Sequence, residues 1–223
     1  MTINWFGQSF FKITTKNSNG EDVVIAIDPF NKDYGLKVPT KFDADIVLIS
    51  HDHKDHNNVD LIKGANLSPE PFVISGPGEY EIKGVMVYGI PAFHDDKQGA
   101  ERGEITMFLI ESEGIWLAHL SDLGQKTLEN GQLEQLQSVD ILMIPVGGVF
   151  TIDAKDASNI ISQIEPRVII PMHYKLPDLK LDIDNVDKFI KEQGLTPEEI
   201  EGKLKINKKD LPDEDTKLFV MKN

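Results

Sequence analysis

The chain has 223 residues, 40% hydrophobic and 27% charged, the balance of an ordinary globular protein with a sizeable core. Asp and Glu total 37 against 23 Lys and Arg, a net charge of −14 that repels polyanions and argues against a non-specific nucleic-acid binder. Zero cysteines removes disulfides, thiolate metal sites and a thiol nucleophile together, and no apolar run is long enough to span a membrane.

The opening Met-Thr-Ile-Asn-Trp-Phe has neither a basic leader nor a signal-like apolar stretch, so a cytoplasmic address is the default expectation. The first half reads as short strands at Ile3–Phe6, Ser9–Thr14, Asp22–Ile27, Ile46–Ile49, Phe72–Ser75 and Val85–Tyr88. Turn signals such as Asn17-Ser-Asn-Gly20 and Gly76-Pro-Gly78 separate them. A short helix through Val59, Leu61 and Ile62 is expected among these strands. A hairpin follows, Ile105–Ser112 and Ile115–Leu120, turned at Glu113-Gly114. Helix and strand then alternate. Thr127–Leu136 reads as helical and Ile141–Val146 as an apolar strand. Ala154–Ile164 reads as a helix with Ala157, Ile160, Ile161 and Ile164 on one face, and Val168–Met172 as another buried strand. Val186–Gln193 offers a third amphipathic helix stopped by Gly194, and Leu218–Met221 closes the chain as an edge strand. The stretch Leu176–Thr216 is polar and charged, and its later part is expected to be a mobile flap or excursion. Many strands with helices interspersed in both halves predict two packed sheets with helices outside. That is an α/β, four-layer αββα sandwich, with residues 1–223 as a single domain.

Half of the six histidines fall in one run, LISHDHKDHNN, as His51, His53 and His56 with Asp52 and Asp55 between them. Imidazoles are poor core residues and repel one another when protonated, so their clustering needs a compensation. A divalent cation provides it, because neutral imidazole and carboxylate are its nitrogen and oxygen ligands. In an extended segment alternate side chains share a face, so His51 and His53 are expected to point the same way. Asp55 lies on that alternation, and His56 leaves it once the chain turns. Two pairs result, His51 with His53 and Asp55 with His56, suited to two neighbouring ions. The other histidines, His94, His119 and His173, each follow or end a strand-like stretch, where layered α/β folds gather functional groups.

With these in order, His51-Asp-His53-Lys-Asp55-His56 resembles the H-x-H-x-D-H signature of the metallo-β-lactamase-fold hydrolases. The nearest likeness is to the short bacterial branch that includes the ascorbate-phosphate lactonase. Supporting stretches are Trp5-Phe-Gly-Gln-Ser-Phe10, Ala26-Ile-Asp28-Pro29, His119-Leu-Ser-Asp122-Leu-Gly124, Ile144-Pro-Val-Gly-Gly148 and Pro171-Met-His173-Tyr174. The resemblance thins after Lys175. It implies two divalent ions, zinc first with manganese or iron as alternatives. His51, His53 and His94 would hold one, Asp55, His56 and His173 the other. Asp122 would bridge them, a carboxylate having one oxygen for each ion. His119 is left over as a pocket residue that supports the ligands, on the strand face of Ile115 and Leu117. Asp28 is a candidate acceptor for a ligand imidazole N–H. Gln8 stands where many relatives carry His, outside the ligand set.

The resemblance also implies hydrolysis by metal-bound hydroxide of an ester, lactone or phosphoester of a small molecule, with Asp55 both ligating and orienting the nucleophile. Tyr174, His119 and Lys175 are candidate proton donors. A site without a dedicated acid favours substrates with good leaving groups. Three rivals stay open: a phosphodiesterase or nuclease, a di-iron redox enzyme, and a non-catalytic metal-binding module. The redox reading expects Glu where His53 stands, and a flavin-binding partner domain.

Overall fold

The computed structural model describes residues 1–66 and 68–222. Among these residues the first large sheet runs in the order Lys203–Lys205, Thr2–Trp5, Phe11–Lys16, Asp22–Ile27, Ile46–Leu48 and Phe72–Ile74. The second runs Pro197–Glu201, Lys217–Lys222, Val168–Met172, Ile141–Pro145, Ile115–His119, Glu104–Ser112, Val85–Phe93 and Gly78–Ile82. A two-stranded parallel ladder joins Phe42–Ala44 to Ile62–Gly64. The helices are α1 (Asn130–Leu136), α2 (Ala154–Ile164) and α3 (Val186–Gln193). This is the α/β sandwich that the strand pattern predicts.

Alternation along the strands decides which side chains meet. Ile25, Ile27, Ile46 and Leu48 point between the sheets and join the main core with Leu117, Ile141 and Ile170. Ala26 and Val47, on the opposite face, join a smaller cluster with Phe10, Phe30, Phe42 and Leu179. That outer face is covered by the small ladder, 3₁₀ turns and the loop around Leu179, while the helical side chains Ala157, Ile160, Ile164 and Phe189 belong to the main core. The 105–120 hairpin turns where expected, with Glu113 (φ 53) and Gly114 (φ 71) both left-handed, as a two-residue type I′ connection requires.

Several expectations need correction. The helix through Val59–Ile62 is a single 3₁₀ turn, Val59–Leu61, and Ile62 begins a strand. Thr127–Leu136 is helical only from Asn130, because Glu129 caps the first turn in a reciprocal capping box with Gln132. Val85 opens a strand that runs to Phe93, well past Tyr88, so His94 follows it directly. The last strand is not at an edge: it pairs with Val168–Met172 on one side and Pro197–Glu201 on the other. The stretch Leu176–Thr216 is no excursion either. It supplies α3 and one added strand to each sheet, Pro197–Glu201 and Lys203–Lys205, on either side of Gly202. Charge hid these strands, because edge strands face water and carry Glu and Lys. No helix among the described residues is long and apolar enough to cross a membrane.

Candidate metal centre

Six strands deliver side chains to one place. Asp28 follows Asp22–Ile27, the His51–His56 run follows Ile46–Leu48, and His94 follows Val85–Phe93. Asp122 follows Ile115–His119, His173 follows Val168–Met172, and Gln8 and Ser9 lie just beyond Thr2–Trp5. Three of these positions leave the strand through left-handed backbone, Gln8 (φ 50), Asp28 (φ 49) and His173 (φ 50), as does Ser121 (φ 51) just before Asp122. Such conformations cost free energy for non-glycine residues and persist where the surroundings over-determine them. Two glycines permit the closest approaches. A Cβ on Gly124 would lie 2.2 Å from the His94 carbonyl, and one on Gly147 2.1 Å from the His173 carbonyl.

The donor atoms form two groups, His51 with His53 and His94, and Asp55 with His56, Asp122 and His173. Within each group they lie within 4.8 Å of one another. His51 and His53 do meet, with Nε2 of the first 2.9 Å from Nδ1 of the second, but not by strand alternation. Regular strand ends at Leu48, and residues 51–56 form a bend and a turn. Asp122 also differs from expectation in its use of oxygens. Its Oδ1 accepts the Ser9 hydroxyl at 3.2 Å. Its Oδ2 alone faces both groups, 3.1 Å from His56 Nε2, 3.3 Å from His173 Nε2 and 3.6 Å from His94 Nε2.

The imidazoles are held from behind. Asp28, fully buried, accepts Ser50 N–H at 2.8 Å and the Ser50 hydroxyl at 2.7 Å. Its Oδ2 lies 3.0 Å from His56 Nδ1, which leaves His56 Nε2 aimed at Asp122. Ser50 Oγ also lies 2.9 Å from His51 Nδ1. Burial pushes the His51 imidazole down to about 3, with His56 adding to the effect, so this ring is neutral. Burial also lowers His94. For Asp122 burial acts to raise the carboxyl, but His173 and His56 outweigh it and hold it well below the usual range. For His56 burial acts to lower the imidazole, but Asp122 and Asp28 outweigh it and raise it well above its ordinary value.

These residues fit divalent cations. The Nε2 atoms of His56, His94 and His173 all converge on one Asp122 carboxylate oxygen in a buried site, and the buried His56 Nε2 has no hydrogen bond of full geometry. Ring nitrogens and a carboxylate gathered in a buried site need positive charge among them, which a proton on His56 supplies in the metal-free chain and a divalent cation would supply on binding.

The other expected residues fall differently. His119 is fully buried, and its Nδ1 accepts Ser121 N–H at 3.2 Å. Its Nε2 therefore carries the proton and donates to the Ser9 carbonyl at 3.0 Å. It reaches Asp122 only through Ser9. Tyr174 is turned away: its ring packs on Trp5 and its hydroxyl donates to the Met221 carbonyl at 3.3 Å. Lys175 is likewise committed, to the carbonyls of Leu179 and Leu181. As candidate proton donors, Tyr174 and Lys175 are set aside by these bonds.

A cleft of ≈ 380 Å³ opens onto the cluster, with Tyr34, Arg102, Phe150 and Leu181 at its walls beside His53 and Asp55. Sequence reasoning missed Tyr34, whose hydroxyl donates to Asp55 Oδ1 at 3.4 Å. Burial, with Asp55 beside it, pushes the Tyr34 phenol up to about 12, so it stays protonated at neutral pH. Ser9, Ser50 and Ser121 were missed as supports. Ser50 and Ser121 each stand one residue before a candidate ligand, His51 and Asp122, which was the available signal; Ser9, beside Gln8, offered none.

Residues 2–173 match the family model described as the beta-lactamase superfamily domain. A UPF0173 metal-dependent hydrolase of the archaeon Methanopyrus kandleri is 28% identical over 227 residues, covering 89% of this chain and 95% of that protein. One from Nitratidesulfovibrio vulgaris strain DP4 is 30% identical over 199 residues, covering 77% and 79% respectively. A crystal structure of a Thermotoga maritima protein, described as a candidate Zn-dependent hydrolase of the metallo-β-lactamase superfamily, superposes with a TM-score of 0.77. It has 34% sequence identity and covers 99% of this chain and 97% of the other. None of these three carries the lactonase name that the sequence suggested.

Proposed function

Because the chain belongs to the metallo-β-lactamase superfamily and is a metal-dependent hydrolase, we propose that it uses two divalent ions to cleave an ester, lactone or phosphoester of a small molecule. His51, His53 and His94 would hold one ion, Asp55, His56 and His173 the other, and Asp122 would serve both. Zinc suits this nitrogen-rich set first, with manganese or iron as alternatives. When bound, such ions supply hydroxide near neutral pH and polarise a carbonyl or phosphoryl oxygen. One observation carries the reading: a single carboxylate oxygen faces three imidazole Nε2 atoms drawn from both donor groups.

The protein's own groups divide the remaining work. Asp28 fixes the His56 ring through Nδ1, and Ser50 does the same for His51. Asp55, partly exposed to the cleft, is placed to take and orient a proton of the attacking water, with Tyr34 holding its other oxygen. With Tyr174 and Lys175 turned away and His119 sealed behind Ser9, substrates whose leaving group departs unaided are favoured. The charge of −14 supports a small molecule over a long nucleic acid. Strands from after Lys175 in both sheets support one domain over residues 1–223. A cytoplasmic, small-molecule role remains part of this reading.

The test is a substrate panel on the zinc-, manganese- and iron-loaded chain, with lactones, phosphodiesters and thioesters side by side, alongside metal analysis. Hydrolysis that follows metal content, at about two equivalents, supports the proposal. A single equivalent with full activity, or no hydrolysis at any loading, rejects it.

A further inference from the structure

The chain has two arginines, and they are used differently. Arg167 is spent on structure: it bonds the Pro212 carbonyl at 2.6 Å and pairs with Asp140 at 3.4 Å and Asp213 at 3.1 Å. Arg102 lines the mouth of the metal-centre cleft. Among the described residues no carboxylate pairs with it, in a chain where 37 acids are available. Its neighbour Glu101 is taken instead by Lys97.

The guanidinium is nevertheless positioned. One Nη2 proton goes to the Val149 carbonyl at 3.2 Å, and the group sits 5.8 Å from the centre of the Phe150 ring. The loop that carries it is held by the buried Asp95, whose two oxygens accept the backbone N–H groups of Lys97, Gly99, Glu101 and Arg102 at 2.7–2.9 Å. Phe150 is 37% exposed and forms, with Leu181, an apolar wall of the cleft. A pre-positioned guanidinium with four N–H donors unused, beside an apolar wall, is the arrangement that recognises a planar or tetrahedral oxyanion on a partly hydrophobic molecule.

We propose that Arg102 is the specificity residue of this cleft, and that the substrate carries, apart from the bond to be cleaved, a carboxylate or phosphate group that Arg102 binds while its apolar part lies on Phe150 and Leu181. This rests on the reading of the cleft as the hydrolytic site. Arg102 does not touch the reacting atoms; it places the substrate.

The experiment uses the zinc-loaded chain and titrates benzoate and phenylphosphonate, with benzyl alcohol as the neutral probe, into wild type, Arg102→Gln, Arg102→Lys and Lys126→Gln. Lys126→Gln removes a charge of the same sign from a side chain outside the cleft lining that is already paired with Asp96 and Asp156. One of the two anions should bind and lose at least tenfold affinity in Arg102→Gln, with part restored in Arg102→Lys. Lys126→Gln and benzyl alcohol should show no such difference. The stronger anion tells carboxylate from phosphate. Saturable binding of neither anion, or equal affinities in wild type and Arg102→Gln at equal zinc content, overturns the proposal. Hydrolysis of a neutral aryl ester is followed in parallel. If it is intact while Arg102-dependent anion binding is absent, only this inference fails; if anion binding depends on Arg102 but no ester or phosphoester is cleaved, the hydrolytic reading fails instead.

Discussion

Asp28 Oδ2 lies 3.0 Å from His56 Nδ1, both side chains wholly buried. Burial acts to raise the Asp28 carboxyl, but His56 outweighs it and holds the group below its ordinary value. The bond fixes the His56 ring through Nδ1 and leaves Nε2 facing Asp122. Asp28→Ala should therefore weaken metal binding by about 10–100-fold, the usual cost of losing such a partner. Competition with a metal indicator measures it, and unchanged affinity would show that packing alone orients His56.

Asp55→Ala should reduce kcat/KM by orders of magnitude, since it removes a proposed ligand and the group that orients the nucleophile. Asp55 is only partly buried and its partner is the Tyr34 hydroxyl, so the melting midpoint without metal should hardly move. Steady-state kinetics beside a thermal melt separates the two effects. Full activity in this variant would place hydroxide formation elsewhere.

His119→Ala should act on stability as well as rate. It leaves the Ser9 carbonyl and the Ser121 N–H unpaired in the interior, at about 1–3 kcal/mol each. Ser9 in turn positions Asp122, so activity at a temperature where the variant is folded should fall about tenfold, in the range of indirect supports to a metal site. A loss as large as that of Asp55→Ala would give His119 a direct part in the chemistry.

Metal removal should lower the melting midpoint. The His51–His56 run and His173 follow strands of different sheets, so ions shared by them tie the two sheets together. At free metal about a hundredfold above its dissociation constant, binding adds roughly 2.7 kcal/mol per site, enough to shift the midpoint by several degrees. Chelation should remove that shift and zinc, manganese or iron(II) restore it. In His173→Ala the shift should be smaller, because the second ion is weakly held from the start.

Asp95 provides a pH dependence. Burial acts to raise its carboxyl, but the four backbone N–H bonds outweigh it and hold the group down at about 2, below the ordinary 3.8. Stability from a lowered carboxyl is complete above the unfolded value and is lost as pH falls through the folded one. Asp95→Ala should thus be less stable than wild type at neutral pH, and the gap should close between about pH 4 and pH 2. Denaturant melts across that range measure it. A gap constant with pH would mean that the loop is held by shape and not by the charge.

The amino-acid sequence by itself determined the local things. Apolar runs such as Ile141–Pro145 and Val168–Met172 are strands because β-branched side chains buried on both faces leave them no other use. Cysteine-free, His- and Asp-rich chemistry pointed to one cluster, and the residues that the resemblance joined, spread from His51 to His173, do converge.

What only the tertiary structure decided is non-local. The polar strands Pro197–Glu201 and Lys203–Lys205 are strands because sheet edges accept them, a fact carried by their partners Lys217–Lys222 and Thr2–Trp5. Tyr34 lies on a 3₁₀ turn 21 residues before Asp55, and no periodicity links the two. Left-handed backbone at Asp28, Ser121 and His173 aims side chains that strand alternation would have sent elsewhere. Arg102 reaches the cleft because Asp95 folds its loop back and Val149 receives it. Spacing along a chain encodes which face a side chain takes within one element; which elements lie opposite one another depends on burying the shared core between the sheets, and that is a property of the whole molecule.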